Sequence, residues 1–290
     1  MPSASPKKIK KEGLLGDSSP NNITLINGTG EGLMEEHIDK FEELLTDSIQ
    51  SNLEGFASPA VAYSGGLDCS VIAKIAMESH SVKLVAVGTE DSQDLQAARL
   101  GSELLGLPLE RIIVMKAEVE DAIPDIIDIL KSRNALEISI ELSLYFVCKH
   151  TRNDLILTGQ GADELFGGYS RYLRLGSDEQ KVRMKQDLSD YLQYNKPQEL
   201  KLGKAFGKRI AMPYTASQIV EFIEQLPIDT KIRKSERKVV LKELARRLEL
   251  APEIINRPKK AVQYGSGILS IMKNLARREG VELHEYLKRI

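Results

Sequence analysis

Between residues 60 and 157 the chain alternates short apolar runs with longer stretches whose apolar residues recur at helical spacing, and few folds accept that pattern. Runs at 60–63, 84–87, 112–115 and 155–157 read as strands, and the stretches at 69–79, 93–105, 118–130 and 136–149 read as helices. Strands joined through helices run parallel, and a parallel sheet needs helices on both faces to shield it from water. The expected fold class is therefore α/β, with a parallel, doubly wound sheet. Upstream, 34–53 reads as a helix through Ile38, Phe41, Leu44, Leu45 and Ile49. Beyond Tyr172 no strong strand signal remains. Residues 178–194, 215–225, 235–249 and 268–288 all read as helical, so a helical C-terminal region is expected to pack against the sheet.

The first 32 residues are rich in Ser, Pro, Gly, Asn and Lys and read as a mobile tail, briefly ordered at 23–26. The expected organisation is a tail over 1–32 and a single unit over 33–290, divided into an α/β core at about 57–172 and a helical part at 173–290. A net charge of −2 gives no overall basic field for nucleic acid. Cys69 and Cys148 form no CxxC pair, and the four histidines lack metal-ligand spacing. No apolar run reaches the roughly 18 residues of a membrane span. The basic N-terminal residues precede no apolar segment, so a signal peptide is not expected. A reducing cytoplasm fits this composition.

The sharpest local signal is AVAYSGGLDCSVIAKIA at 60–76. An apolar strand runs into two glycines and then a helix. Gly65 and Gly66 let backbone N–H groups approach a phosphate, and the following helix N-terminus adds donors and positive dipole. Ser64 and Ser70 can contribute hydroxyls. A carboxylate at Asp68 would repel phosphates unless a cation intervened, which points to a Mg²⁺ ligand. The other reading is a plain βα turn with Asp68 as a helix cap. The loop is neither GxxxxGK[ST] nor GxGxxG. It resembles the SGGxDS motif of the N-type ATP pyrophosphatases, with Cys69 between Asp68 and Ser70. Cys69 reads as a small buried helix residue.

A second motif, ILTGQGADELFGGYSRY at 156–172, repeats the physics of strand, glycine-rich turn and acids. Thr158, Gly159 and Gly161 can line a nucleotide phosphate, and Asp163 is a second candidate Mg²⁺ ligand. Asp68 and Asp163, arriving at one edge of a parallel sheet, would bracket a single metal–pyrophosphate unit. This segment resembles the SGEGADELFGGY signature of asparagine synthetases and their relatives, such as β-lactam synthetases. KSERKVVLKELARRL at 234–248 and INRPKKAVQYGSG at 255–267 agree with that resemblance, which runs from about residue 34 to 270.

The resemblance implies a PP-loop type of fold, ATP as substrate with Mg²⁺, and cleavage to AMP and pyrophosphate. It implies that Ala62 and Val87 hold adenine and ribose through their backbones. Ser92 and Asp94 fall in the family's second nucleotide-contacting loop, and Gly159 falls beside the α-phosphate. Lys259 matches the catalytic lysine, with Lys260 one residue away, and Lys238 is a second candidate phosphate cation. Arg209 loosely matches an arginine before the Pro-Phe segment of the family.

Two departures stand out. The chain begins Met1-Pro2 with a short tail before the synthetase-like region, so ammonia is expected to arrive free, from another amine, or from a separate glutaminase subunit. The glutamate of the family signature is Gln160 here, and an amide cannot act as a base. Another acid (Glu137, Glu141 or Glu164) would serve, or the nucleophile differs. The expected function is amide formation through an acyl-adenylate, with aspartate and ammonia by resemblance. The alternatives are the same chemistry on another acid and amine, such as a lactam, or a non-catalytic nucleotide-binding protein. A tRNA-directed enzyme is disfavoured by the missing CxxC pairs and the charge. No membrane partner is expected.

Overall fold

The computed structural model describes residues 30–258 and 265–290. The expected tail, apart from its last three residues, lies outside the described residues, as does its short ordered stretch at 23–26; helix α1 (Gly30–Leu53) begins within the 1–32 segment.

Five strands form one parallel sheet: β1 (Ala60–Ala62), β2 (Lys83–Gly88), β3 (Leu109–Ile113), β4 (Leu155–Leu157) and β5 (Arg209–Ala211), in the order β3-β2-β1-β4-β5. Alternate residues point to opposite faces. Val61, Leu84 and Leu155 pack into one core, while Ala60, Val85 and Ile156 pack into the other, all of them essentially solvent-free. Helices α1, α2 (Leu67–Ala76) and α3 (Gln93–Leu105) contribute to the first core. Helices α4 (Lys116–Leu130) and α5 (Ala135–His150) contribute to the second. This is the doubly wound arrangement expected from the alternation.

The chain leaves β3 at one edge and returns to β4 beside β1. The strand order therefore reverses at the β1–β4 pair, where the C-terminal ends of the two strands open a crevice. Local chemistry sets the helix starts. Ser92 Oγ accepts the N–H of Leu95 at 3.3 Å to cap α3, and Gly106, at φ 66°, closes it. Asn134 caps α5 by accepting the N–H groups of Leu136 and Glu137 at 2.9 and 3.2 Å.

The structure corrects the reading in four places. The third strand ends at Ile113 rather than running to Met115, because the Met115 N–H donates to Glu118 Oε2 at 2.8 Å and starts α4. The C-terminal region is not purely helical: β5 extends the sheet beside β4. A small antiparallel hairpin, β6 (Ile232–Arg233) with β7 (Glu236–Arg237), occupies the start of the expected 235–249 helix. That helix, α10, spans Val239–Arg247. Between β4 and α10 lie α6 (Ala162–Phe166), α7 (Ser177–Asp190), a π-helical turn at Tyr191–Asn195, α8 (Lys196–Ala205) and α9 (Ser217–Gln225). α11 (Pro252–Ile255) follows α10. The expected 268–288 helix is two, α12 (Ile268–Arg278) and α13 (Leu283–Arg289), broken near Gly280 at φ 69°. Arg247 pins α10 to α1 through Glu35, Asp39 and Glu42.

Candidate active site

The first motif crosses the top of β1. Tyr63 donates its N–H to Val85 O at 2.8 Å, keeping the strand paired until the turn begins. Gly65 takes φ 73° and lies against the backbone of Ala97 in α3, where a Cβ would collide. Gly66 precedes α2, and Asp68 sits in the first helical turn. The second motif crosses the top of β4 and packs directly on the first. A Cβ at Gly159 would lie 2.9 Å from both Asp68 Cβ and Cys69 Sγ, so glycine is what lets the two turns touch. Asp163 lies in α6, which Gly161 and Gly167 bracket at φ 83° and 72°.

Lys238 joins them. Its Nζ lies 2.6 Å from Asp68 Oδ1 and 2.6 Å from Asp163 Oδ1, so the two carboxylate oxygens are no farther apart than twice that distance. The three side chains are 8%, 7% and 16% exposed, which keeps the ion pairs poorly screened. Lys238 reaches this position because it follows the hairpin in a left-handed conformation, φ 57°. The fully buried Tyr214 donates its hydroxyl to the Asp68 carbonyl at 2.9 Å. Burial above all, then the neighbouring Asp68 and Cys69, pushes its phenol well above the ordinary value, so it stays a neutral donor.

Two clefts meet here. One is walled by Val85, Val87, Ile140, Leu144 and Val147, with polar groups at one side. Of the expected nucleotide-binding residues, Ala62, Ser64, Gly66, Asp68, Val87, Asp94, Thr158 and Gly159 line it, and so does Gln160. The Thr158 hydroxyl is buried there without a hydrogen-bond partner among the described residues. The other cleft is polar and carries Lys238, Lys242, Arg237 and Arg257; it shares Ser64, Gly66, Asp68 and Asp94 with the first. An apolar slot opening into a cationic one suits a flat base attached to a polyphosphate.

Three expected contacts are placed differently. The fully buried Ser70 hydroxyl donates to Gly66 O at 2.8 Å and lies 2.8 Å from the Tyr63 hydroxyl, bracing the loop from behind. Ser92 is the cap of α3 and lines neither cleft. Gly65 packs on α3. Lys259 and Lys260 lie outside the described residues. Of the substitute acids, none lines either cleft: Glu137 accepts from the Ser132 hydroxyl, Glu164 accepts from Tyr169, and Glu141 is buried. Burial, with Glu137 adding to it, pushes the Glu141 carboxyl up to about 8. Arg209 is spent on Asn52 and the ring of Phe56.

The sequence reading missed Arg257 and Tyr214 as site residues. Arg257 donates to the Ser64 carbonyl and pairs with Asp94 Oδ1 at 3.0 Å, so one guanidinium holds the first loop against the start of α3. Their only signal was proximity in sequence to Lys259 and to Arg209.

The donor set can be weighed against a divalent cation. Among the described residues no group of three or more His, Cys, Asp and Glu side chains converges. Asp68 lines both clefts and Asp163 lines neither but shares Lys238 with it; such a carboxylate pair would fit Mg²⁺, an ion that keeps several waters of its own.

A model of the asparagine synthase family matches residues 40–200 and 175–285 of this chain. A protein of Methanocaldococcus jannaschii named as a glutamine-hydrolysing asparagine synthetase is 28% identical over 294 residues, covering 88% of this chain and 54% of its own. The glutamine-hydrolysing asparagine synthetase of Gallus gallus is 25% identical over 245 residues, covering 80% of this chain and 43% of its own. The chain thus spans about half the length of these curated relatives. Among solved structures, NMN synthetase from Francisella tularensis aligns over 88% of this chain and 86% of its own, at 15% identity and a TM-score of 0.42.

Proposed function

This chain belongs to the asparagine synthase family, and from that premise we propose that it is an ATP-dependent ligase that activates a carboxylic acid as its acyl-adenylate and passes the acyl group to an amine. One observation carries the reading: Lys238, on the cationic cleft, ties the aspartates of two distant motifs into one cluster, and Asp68 of that cluster also lines the apolar slot.

Adenine and ribose lie against Val85, Val87 and Val147, with the backbones of Ala62 and Val87 as hydrogen-bonding edges. The triphosphate runs over Ser64–Gly66 and the start of α2 towards Lys238 and Lys242. A carboxylate oxygen of the acid attacks the α-phosphorus, the bond from that phosphorus to the bridging oxygen breaks, and pyrophosphate leaves. The amine nitrogen then attacks the acyl carbon, sheds a proton, and AMP departs. Gly159 N–H and the Thr158 hydroxyl face the α-phosphate. Lys238, with Lys259 from the family correspondence, offsets charge on the departing pyrophosphate. Asp68 and Asp163 are the residues that would hold Mg²⁺, which would supply further positive charge for the phosphates. Arg257 orients the loop through Ser64 and Asp94.

Aspartate as the acid and ammonia as the amine are the substrates inferred from relatives named as asparagine synthetases. A second reading, the same chemistry on another acid and amine, is favoured by Gln160. It stands where a base would be needed, and Glu137, Glu141 and Glu164 all lie off the clefts. No helix among the described residues is long and apolar enough to cross a membrane. A pyrophosphate-release screen over aspartate and related acids, with and without ammonium, separates the readings. Release with aspartate and ammonium supports the first, release with a different pair supports the second, and none with any pair reduces the protein to a nucleotide-binding module.

A further inference from the structure

A third cleft opens on the far side of α6. Its walls are α6, α7 and the 224–231 segment, and it holds about 980 Å³ counting the part open to solvent. Met184, Leu188, Leu226 and Ile228 make an apolar floor. Lys231 reaches into it although the residue is only 7% exposed, and among the described residues it has no ion-pair partner. Lys181 and Lys185, exposed on α7, stand at the rim.

We propose that this cleft is a second ligand site, distinct from the nucleotide clefts, for a small organic anion: a carboxylate or phosphate carrying an apolar body. A lysine whose stem merely covers apolar surface keeps its ammonium in water. Lys231 is only 7% exposed as a residue and lines this cleft with no ion-pair partner among the described residues, and a largely buried lysine without a counterion is costly. Burial pushes it down to about 8, with Glu224 opposing and Lys181 reinforcing the shift. An incoming anion supplies the missing charge at the floor and meets two more ammonium groups at the rim, while its apolar body covers Met184 and Leu226. The acids of the cleft do not take that role: Glu164 is engaged with Tyr169, and Glu224 is exposed and beyond ion-pair distance of Lys231.

The site adjoins the catalytic cluster through the backbone. Glu164 and Leu165 follow Asp163 in α6, and the Lys231 carbonyl accepts the N–H of Val239, next to Lys238, at 3.0 Å. Ile232 packs so closely under Gly167 that a Cβ there would clash. An anion at Lys231 therefore touches α6, which carries Asp163, and the segment whose carbonyl holds the residue after Lys238.

The full chain with ¹³C-methyl-labelled methionine reads the site directly, since Met184 lines it. Benzoate and phenyl phosphate are titrated separately in the presence of saturating ATP, with Met184 identified through Met184→Leu. The expected result is a saturable shift of the Met184 methyl with at least one probe, weakened at least ten-fold in Lys231→Gln and largely kept in Lys231→Arg. Benzoate alone assigns a carboxylate ligand, and phenyl phosphate alone assigns a phosphate. An unmoved Met184 with both probes under saturating ATP, or an equal shift in Lys231→Gln, would overturn the proposal.

Discussion

Lys238 Nζ lies 2.6 Å from Oδ1 of Asp68, 170 residues earlier in the chain, and the same nitrogen lies 2.6 Å from Oδ1 of Asp163. One buried cation therefore reports the assembly of both motifs. Two carboxylates this close repel each other unless a positive charge sits beside them. In the folded chain the lysine provides it, and the same lysine lines the cationic cleft.

Asp68→Asn and Asp163→Asn are each expected to cut pyrophosphate release by about 10²–10³-fold, the scale of losing one preorganised electrostatic contact. Thermal unfolding should change little by comparison. Turnover near wild type in either variant would refute the assignment of these acids.

Lys238→Met should destabilise as well as inactivate. It leaves two largely buried carboxylates without their counterion, a loss of about 3 kcal/mol by analogy with broken buried pairs. Adding Asp163→Asn removes one of the repelling charges, so urea unfolding of the double variant should recover part of that stability with no recovery of activity. A double variant no more stable than Lys238→Met would show that charge repulsion is not the cause.

Gln160→Glu restores an ionisable group on the wall of the apolar slot. If the amine arrives there, ammonium-dependent AMP formation should rise several-fold, and the gain should follow the ionisation of the new carboxyl with pH. Unchanged kinetics would place the amine elsewhere.

Stability should carry the signature of Glu141. Its carboxyl is pushed up to about 8 by burial, from an ordinary value of 4.5. Between those pH values the native state binds more protons than the unfolded chain, so stability falls as pH rises through the window. Glu199, also buried and raised well above the ordinary value, acts in the same direction. Glu141→Gln should melt higher than wild type at pH 8 and show a shallower decline from pH 5 to 8. Parallel melting profiles would contradict this.

Much of the fold was legible because it rests on periodicity. The helix over 93–105 and the strand over 155–157 have the bounds that the apolar spacing indicated. Strand β5 was not legible: Arg209-Ile210-Ala211 is too short to show alternation, and it is a strand only because β4 lies beside it. The start of α10 was misread for a related reason. Helical spacing extends back through 235–238, but the hairpin and the left-handed Lys238 turn those residues towards Asp68 and Asp163. The acids themselves were visible as motif residues. Arg257 and Tyr214 were not, because their work is done on Ser64 and Asp68, 193 and 146 residues away.

The most direct measurement follows α-³²P-labelled ATP incubated with Mg²⁺, aspartate and ammonium, or with whichever acid–amine pair releases pyrophosphate. If the two motifs cleave ATP at the α-phosphorus, the label appears as AMP in proportion to amide formed, and Asp163→Asn abolishes it. Label appearing as ADP, or AMP forming at an undiminished rate in Asp163→Asn, would contradict a shared pyrophosphate site built from Asp68, Asp163 and Lys238.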